Sequence, residues 1–154
     1  MMYDVVVIGA GPAGGELGRV LSSKKRRVLV IDRLKNLSQN NFSSAGTVLE
    51  TLQDYSLPDS VIGSYWNKLT WVSSRQRHTW KSSKPLGVIL DFAKLRHFLS
   101  DETEKNGGQV LLHHSFQKCE IHGPMLHVYA EDLKNQERKI FKTKILVDAT
   151  GPSR

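Results

Sequence analysis

Three glycines and one carboxylate near the amino terminus have the types and spacing to recognise an anion joined to a sugar. Gly9-Ala10-Gly11-Pro12-Ala13-Gly14 follows the pattern G-x-G-x-x-G, and Asp32 stands 18 residues beyond Gly14. Each position has a physical task. Gly9 allows a tight turn, Gly11 lets a pyrophosphate approach the backbone, and Gly14 lets a helix pack close to a strand. A helix that starts at Pro12 and Ala13 offers unpaired N–H groups and partial positive charge to phosphates. Pro12 suits that first turn because its missing N–H would be unpaired anyway. Asp32, with Arg33 beside it, can accept hydrogen bonds from an adenosine ribose, and its charge repels a 2′-phosphate, which disfavours NADP here.

The elements that must position these residues are legible around them. Tyr3 to Ile8 is a short β-branched run, as expected of a strand buried on both faces of a parallel sheet. Ala13, Leu17, Val20 and Leu21 make one face of a helix. Val28 to Ile31 is a second apolar run ending in Asp32. The order is strand, glycine turn, helix, strand, acid. A chance strand-to-helix turn would leave Asp32 unexplained, and Gly in a helix interior costs about 1 kcal/mol relative to Ala. No glycine marks the end of the helix. Lys24 to Arg27 instead puts positive charge at its carboxyl end, which reads as a solvated helix end rather than a nucleic-acid surface.

The composition is that of globular material. The 154 residues carry a formal net charge of +7, with 39% apolar and 24% charged residues. No run reaches the roughly 18 to 20 apolar residues that span a bilayer. The segment Tyr3 to Gly15 is broken by Gly and Pro and has no basic leader, so it does not read as a signal peptide. A lone cysteine, Cys119, excludes an internal disulfide and a multi-cysteine zinc site, and fits a reducing, cytoplasmic compartment. His113, His114, His122 and His127 are close in sequence, but adjacent strand residues face opposite sides, so no metal site is expected. Cys119 has no base arranged beside it and reads as inert.

Between the two ends the chain is punctuated more loosely. The polar stretch Leu34 to Ser44 reads as a loop. Thr47 to Leu57 is spaced for a helix that Pro58 ends. Leu69 to Val72 and Thr79 to Lys81 are short strands. Trp66, Trp71 and Trp80 alternate there with Lys68, Arg75, Arg77, His78, Lys81 and Lys84. The preferred reading is a strand pair with tryptophans packed inward and basic groups outside. A surface for anionic substrates or membrane headgroups is a second reading, and no specific nucleic-acid partner is expected. Asp91 is an N-cap, Leu95, Phe98 and Leu99 form a helical stripe, and Asn106-Gly107-Gly108 stops it. Gln109 to Leu112 is a third core strand. Phe116 to Ile121, Leu126 to Ala130 and Arg138 to Phe141 form a three-stranded meander that leads into a fourth core strand, Lys144 to Asp148. Asp148 is either a turn-former or a hydrogen-bonding group beside a cofactor.

The string D-V-V-V-I-G-A-G-P-A-G, together with V-L-V-I-D-R, resembles the amino end of FAD-dependent oxidoreductases. Ile145-Leu146-Val147-Asp148-Ala149-Thr150-Gly151 resembles the strand that closes the FAD site in this superfamily. Gly87 to Asp91 followed by a helix resembles the branch that holds geranylgeranyl reductase-like, lycopene cyclase-like and aromatic hydroxylase-like enzymes. Ser44-Ala45-Gly46-Thr47 falls where the reductases tend to carry Cys-Gly-Gly, without the cysteine. The arginine that often starts the helix after Leu90, near the pyrophosphate, is replaced by Phe92.

The resemblance implies an α/β, Rossmann-like FAD/NAD(P)-binding domain, a parallel sheet with a three-stranded antiparallel meander as crossover. It would span 1–154 as the amino-terminal portion of a larger flavoprotein, with 34–84 partly irregular. Gly9, Gly11, Pro12, Ala13, Gly14, Asp32, Arg33, Gly46, Ala149, Thr150 and Gly151 would hold FAD, and NAD(P)H would be an external reductant. The whole enzyme would reduce or hydroxylate an apolar substrate, with peripheral contact to a membrane. No Gly-Asp pair follows, so the flavin pocket and catalytic groups are expected in a missing carboxyl-terminal half or a partner chain. Two other classes remain. One is a dinucleotide-binding module without catalysis. The other is a basic nucleic-acid-binding protein, with steeply salt-dependent affinity.

Overall fold

The apolar runs at the two ends of the chain become neighbouring strands of one sheet. The computed structural model describes residues 2–39 and 45–151. Strand β1 (Met2–Ile8) passes through the glycine turn into α1 (Pro12–Ser23) and then β2 (Val28–Ile31). Next come β3 (Gly46–Val48), α2 (Glu50–Asp54), a 3-10 turn at Asp59–Val61, β4 (Ile62–Trp66), β5 (Lys68–Val72), β6 (Arg77–Lys81) and β7 (Gly87–Leu90). The chain continues with α3 (Phe92–Lys105), β8 (Gln109–Leu111), β9 (His114–His122), β10 (Met125–Asp132) and β11 (Glu137–Asp148). It divides into two compact units, Met1–Asn40 with Arg96–Arg154, and Asn41–Leu95. No helix among the described residues is long and apolar enough to cross a membrane.

The first unit holds a six-stranded sheet in the order β8-β2-β1-β11-β10-β9. The pairs β2/β8, β1/β2 and β1/β11 are parallel, and β11/β10 and β10/β9 are antiparallel. This is the α/β architecture expected, a parallel sheet extended by a meander. All four residues of β2 are buried. Tyr3, Val6, Ile8, Leu29 and Ile31 pack with Val128 and Ala130 in one cluster, and Val5, Val7, Val28 and Val30 with Ala10 and Leu37 in another. A strand apolar on both faces is thus covered on both faces, each fully buried Val, Leu or Ile contributing roughly 1.5 to 3 kcal/mol.

The register sets the functional edge. Ile8 pairs with Ile31 on one side and with Asp148 on the other. The residues that follow, Gly9, Asp32 and Ala149, therefore leave the sheet at one level, at the carboxyl ends of their strands. Ligands of open α/β sheets bind at this edge.

Several sequence expectations are corrected. Arg138 to Phe141 and Lys144 to Asp148 are one strand, β11, of 12 residues. Lys142-Thr143-Lys144 contains no turn former, and fully buried Thr143 pairs with Leu126 on one side and Tyr3 on the other. The third meander strand and the fourth core strand are thus continuous. The helix expected over Thr47 to Leu57 is shortened to Glu50–Asp54. Gly46, Thr47 and Val48 instead form a ladder with Ile89, Val88 and Gly87, which suits β-branched residues better than a helix does. The tryptophans of the β5–β6 pair do not pack inward. Trp71 and Trp80 are 55% and 49% exposed, since among the described residues β5 and β6 pair only with each other and the ribbon leaves its side chains open on both faces.

Other expectations stand. The Lys94 N–H donates to Asp91 Oδ1 at 3.1 Å, so Asp91 caps α3. Gly107 ends that helix with φ +88°. Where α1 lacks a terminal glycine, Lys25 takes the left-handed position (φ +59°), and the Arg26 N–H reaches the Leu21 carbonyl at 3.1 Å.

Candidate functional site

The glycine turn fits so closely that side chains are excluded from two of its positions. Gly9 has φ +107°, and a Cβ there would strike the Ala149 carbonyl. A Cβ on Gly14 would strike the Gly9 carbonyl. Gly14 thus seats α1 on the turn itself, while the close approach of α1 to β2 is at Gly18, where a Cβ would lie 2.8 Å from a Val30 methyl. A Cβ on Gly11 would meet nothing within 4 Å. The open glycine of the turn is the residue expected to meet a pyrophosphate. Pro12 and Ala13 open α1, whose first hydrogen bond runs from the Gly15 N–H to the Gly11 carbonyl at 2.8 Å. The helix start directs its N–H groups outward beside Gly11.

Asp32 first organises backbone. Its Oδ2 accepts the Ala10 N–H at 2.7 Å, and its Oδ1 accepts the Leu34 N–H at 2.8 Å. A carboxylate oxygen has two acceptor directions, and these two bonds use one on each oxygen. Asp32 also faces a cavity of about 520 Å³, which Gly9, Arg33, Asp148 and Thr150 line as well. Asp148 Oδ1 accepts both the Thr150 N–H (3.0 Å) and its hydroxyl (2.7 Å), so it forms the turn after β11. The Ala149 N–H donates to the Ile8 carbonyl at 2.8 Å, and Gly151 follows with φ +72°.

The first unit therefore brings together Gly9, Gly11, Pro12, Ala13, Gly14, Asp32, Arg33, Ala149, Thr150 and Gly151. Gly46 belongs to the second unit, where it is exposed at the start of β3. Ser44, two residues before it, lies outside the described residues. Cys119 packs against the core, and burial pushes its thiol pKa up, away from the reactive thiolate. The rings of His122 and His127 stack at 4.1 Å.

Sequence reasoning missed two features. The apolar cavity wall includes Phe116 and Leu146, and His114 and Ser115 also line it. His114 is oriented by its Nδ1, 2.7 Å from the Leu112 carbonyl. The signal was faint, because nothing in the run Leu112-His113-His114 announces the left-handed turn at His113 (φ +59°). The second is Arg96, only 4% exposed. Its Nε donates to the Ala10 carbonyl at 3.3 Å and its Nη1 to the Gln39 carbonyl at 2.9 Å. Here a signal was present. Arg96 stands three residues before Leu99 and seven before Thr103, on the buried stripe of α3.

The geometry fits a dinucleotide cofactor: an uncovered glycine, a helix start and a carboxylate share one sheet edge, beside a cavity with polar and apolar walls. Comparison with known proteins agrees. The digeranylgeranylglycerophospholipid reductase of Haloferax volcanii is 29% identical over 154 residues, covering 98% of this chain and 36% of that protein. A geranylgeranyl bacteriochlorophyll reductase-like protein from Thermoplasma acidophilum superposes with a TM-score of 0.86 at 18% identity, over 97% of this chain and 39% of that one. The flavin-dependent monooxygenase PieE, solved with FAD and substrate, superposes with a TM-score of 0.76 at 15% identity, over 99% of this chain and 31% of that one. The chain thus spans about a third of the length of these proteins. The family model described as FAD binding domain matches residues 2–153, and this chain belongs to that FAD-binding family.

Proposed function

We propose that this chain is the FAD-holding part of an oxidoreductase that reduces carbon–carbon double bonds of an apolar, isoprenoid-type substrate. Gly9, Gly11, Pro12, Ala13 and Gly14 receive the pyrophosphate at the start of α1. Asp32, with Arg33 beside it, takes the adenosine ribose, and Ala149 to Gly151 lie alongside the cofactor. The bound flavin supplies two-electron transfer, and the protein supplies binding and orientation. NAD(P)H is the external reductant. The observation that carries the reading is the alignment of Gly9, Asp32 and Ala149 at one sheet edge, with Gly11 the open position among the three glycines of the turn. The relatives named as digeranylgeranylglycerophospholipid reductases favour reduction over hydroxylation.

The catalytic half corresponds to the part of these proteins that this chain does not match, or to a partner chain, since the chain covers only about a third of their length. Without it, the chain binds the dinucleotide and does not turn over. We place the domain in the cytoplasm, in peripheral contact with lipid. Residues 60–90 hold five Lys and Arg and no Asp or Glu, and Trp71 and Trp80 are half exposed among them.

The test is the visible absorbance of the 154-residue chain after incubation with FAD and desalting. Retained flavin that ADP displaces and Asp32→Ala weakens supports the reading. Folded protein that retains none refutes self-sufficient binding, and NADH oxidation with FAD alone refutes the absent catalytic half.

A further inference from the structure

Arg96 is a charged side chain held almost wholly inside the protein, beside the glycine turn. Two consecutive peptide groups of that turn are each held by an ionised side chain. Asp32 accepts the Ala10 N–H, which fixes the Gly9–Ala10 peptide. Arg96 donates to the Ala10 carbonyl, which belongs to the Ala10–Gly11 peptide. In a trans peptide the carbonyl and the following N–H point in opposite directions. Holding the Ala10 carbonyl inward therefore turns the Gly11 N–H outward, at the one glycine of the G-x-G-x-x-G turn with open space around it. A cation on the carbonyl also polarises the peptide and strengthens that N–H as a donor. The other arm of the guanidinium holds the Gln39 carbonyl, so the same side chain ties the turn to the segment after β2.

We propose that Arg96 is a positioning residue for the cofactor's pyrophosphate, presetting the Ala10–Gly11 peptide and placing a cation behind it. The charge enters from within α3, one turn beyond Phe92, and it acts through the backbone. This rests on the FAD site proposed above. It predicts dependence on the phosphates of the ligand, which a purely structural role would not produce.

Binding of FAD, ADP and adenosine to the full chain, measured by calorimetry, tests it. Arg96→Gln should weaken FAD and ADP roughly 10- to 100-fold and adenosine less than about threefold. Arg96→Lys, which keeps the charge but reaches one carbonyl, should fall between Arg96→Gln and the unaltered chain for ADP and leave adenosine unchanged. Equal losses for all three ligands, or an unchanged ADP affinity, overturn the proposal while leaving the site intact. An unaltered chain that binds none of the three overturns the site and the proposal with it. Should Arg96→Gln lose its cooperative melt, Arg96→Lys decides alone: a selective ADP loss supports the role, and no loss refutes it.

Discussion

Strand β2 and the β5–β6 pair are similar in length and opposite in circumstance. Every residue of Val28–Ile31 is buried, and a parallel neighbour is bonded on each side. Every residue of Arg77–Lys81 is exposed, and among the described residues its only partner strand is β5. In the first, burial on two faces dictates apolar side chains, and the polar residue that ends the strand, Asp32, has its position fixed by the sheet. In the second, alternation puts Leu69, Trp71, His78 and Trp80 on one face and Lys68, Thr70, Thr79 and Lys81 on the other. A lone two-stranded ribbon is marginal in water. The candidate cofactor site therefore follows strands that are buried and paired on both sides, and the basic aromatic residues lie on an exposed two-stranded ribbon.

The largest expected effect separates the two regions directly. Leu29→Ala should destabilise the chain by about 2 to 5 kcal/mol in urea unfolding. Trp71→Ser should cost less than about 1 kcal/mol. Equal costs would break the comparison.

Within the site, the glycines should separate stability from affinity. Gly14→Ala should cost about 1 to 3 kcal/mol, since the methyl meets the Gly9 carbonyl, and should abolish ADP binding. Gly11→Ala should melt within a few degrees of the unaltered chain and lose roughly tenfold in ADP affinity. A Gly11→Ala chain that binds ADP normally would remove Gly11 from the phosphate site.

A smaller effect concerns acid. Asp4 ties the start of β1 to Arg27, and the Arg27 hydrogen bond holds its carboxyl at about 2, below its ordinary 3.8. Lys118 does the same for Glu120, also to about 2. A depressed carboxyl stabilises the fold above its unfolded pKa, and that stability is lost as pH falls through the folded value. The melting temperature should therefore fall between pH 4 and pH 2, and Asp4→Asn should flatten that decline. The smallest effect belongs to the exposed ribbon. Phosphatidylglycerol vesicles should bring down the chain at low salt and release it at high salt, and Trp71→Ser with Trp80→Ser should reduce the bound fraction about twofold or more.

What the sequence revealed follows the same division. The strands Tyr3 to Ile8 and Val28 to Ile31, the turn between them and the role of Asp91 were legible because one local rule governs each. The continuity of β11 was not, since Lys142 and Lys144 alternate with buried Thr143, and only pairing on both sides of Thr143 makes one strand of it. The strand at Gly46–Val48 was hidden because its partner, β7, is about 40 residues away in the chain. Arg96 carried a local signal, a cation on a buried stripe, yet its partners Ala10 and Gln39 come from other parts of the chain.

The central claim is that this chain grips the adenosine diphosphate part of FAD with the glycine turn and Asp32. Calorimetric titration of the chain with FAD, ADP and riboflavin tests it most directly. The account predicts that FAD and ADP compete for one site with comparable affinity, and that riboflavin binds at least about 100-fold more weakly. Riboflavin binding as tightly as FAD, or FAD binding that ADP cannot displace, would contradict it.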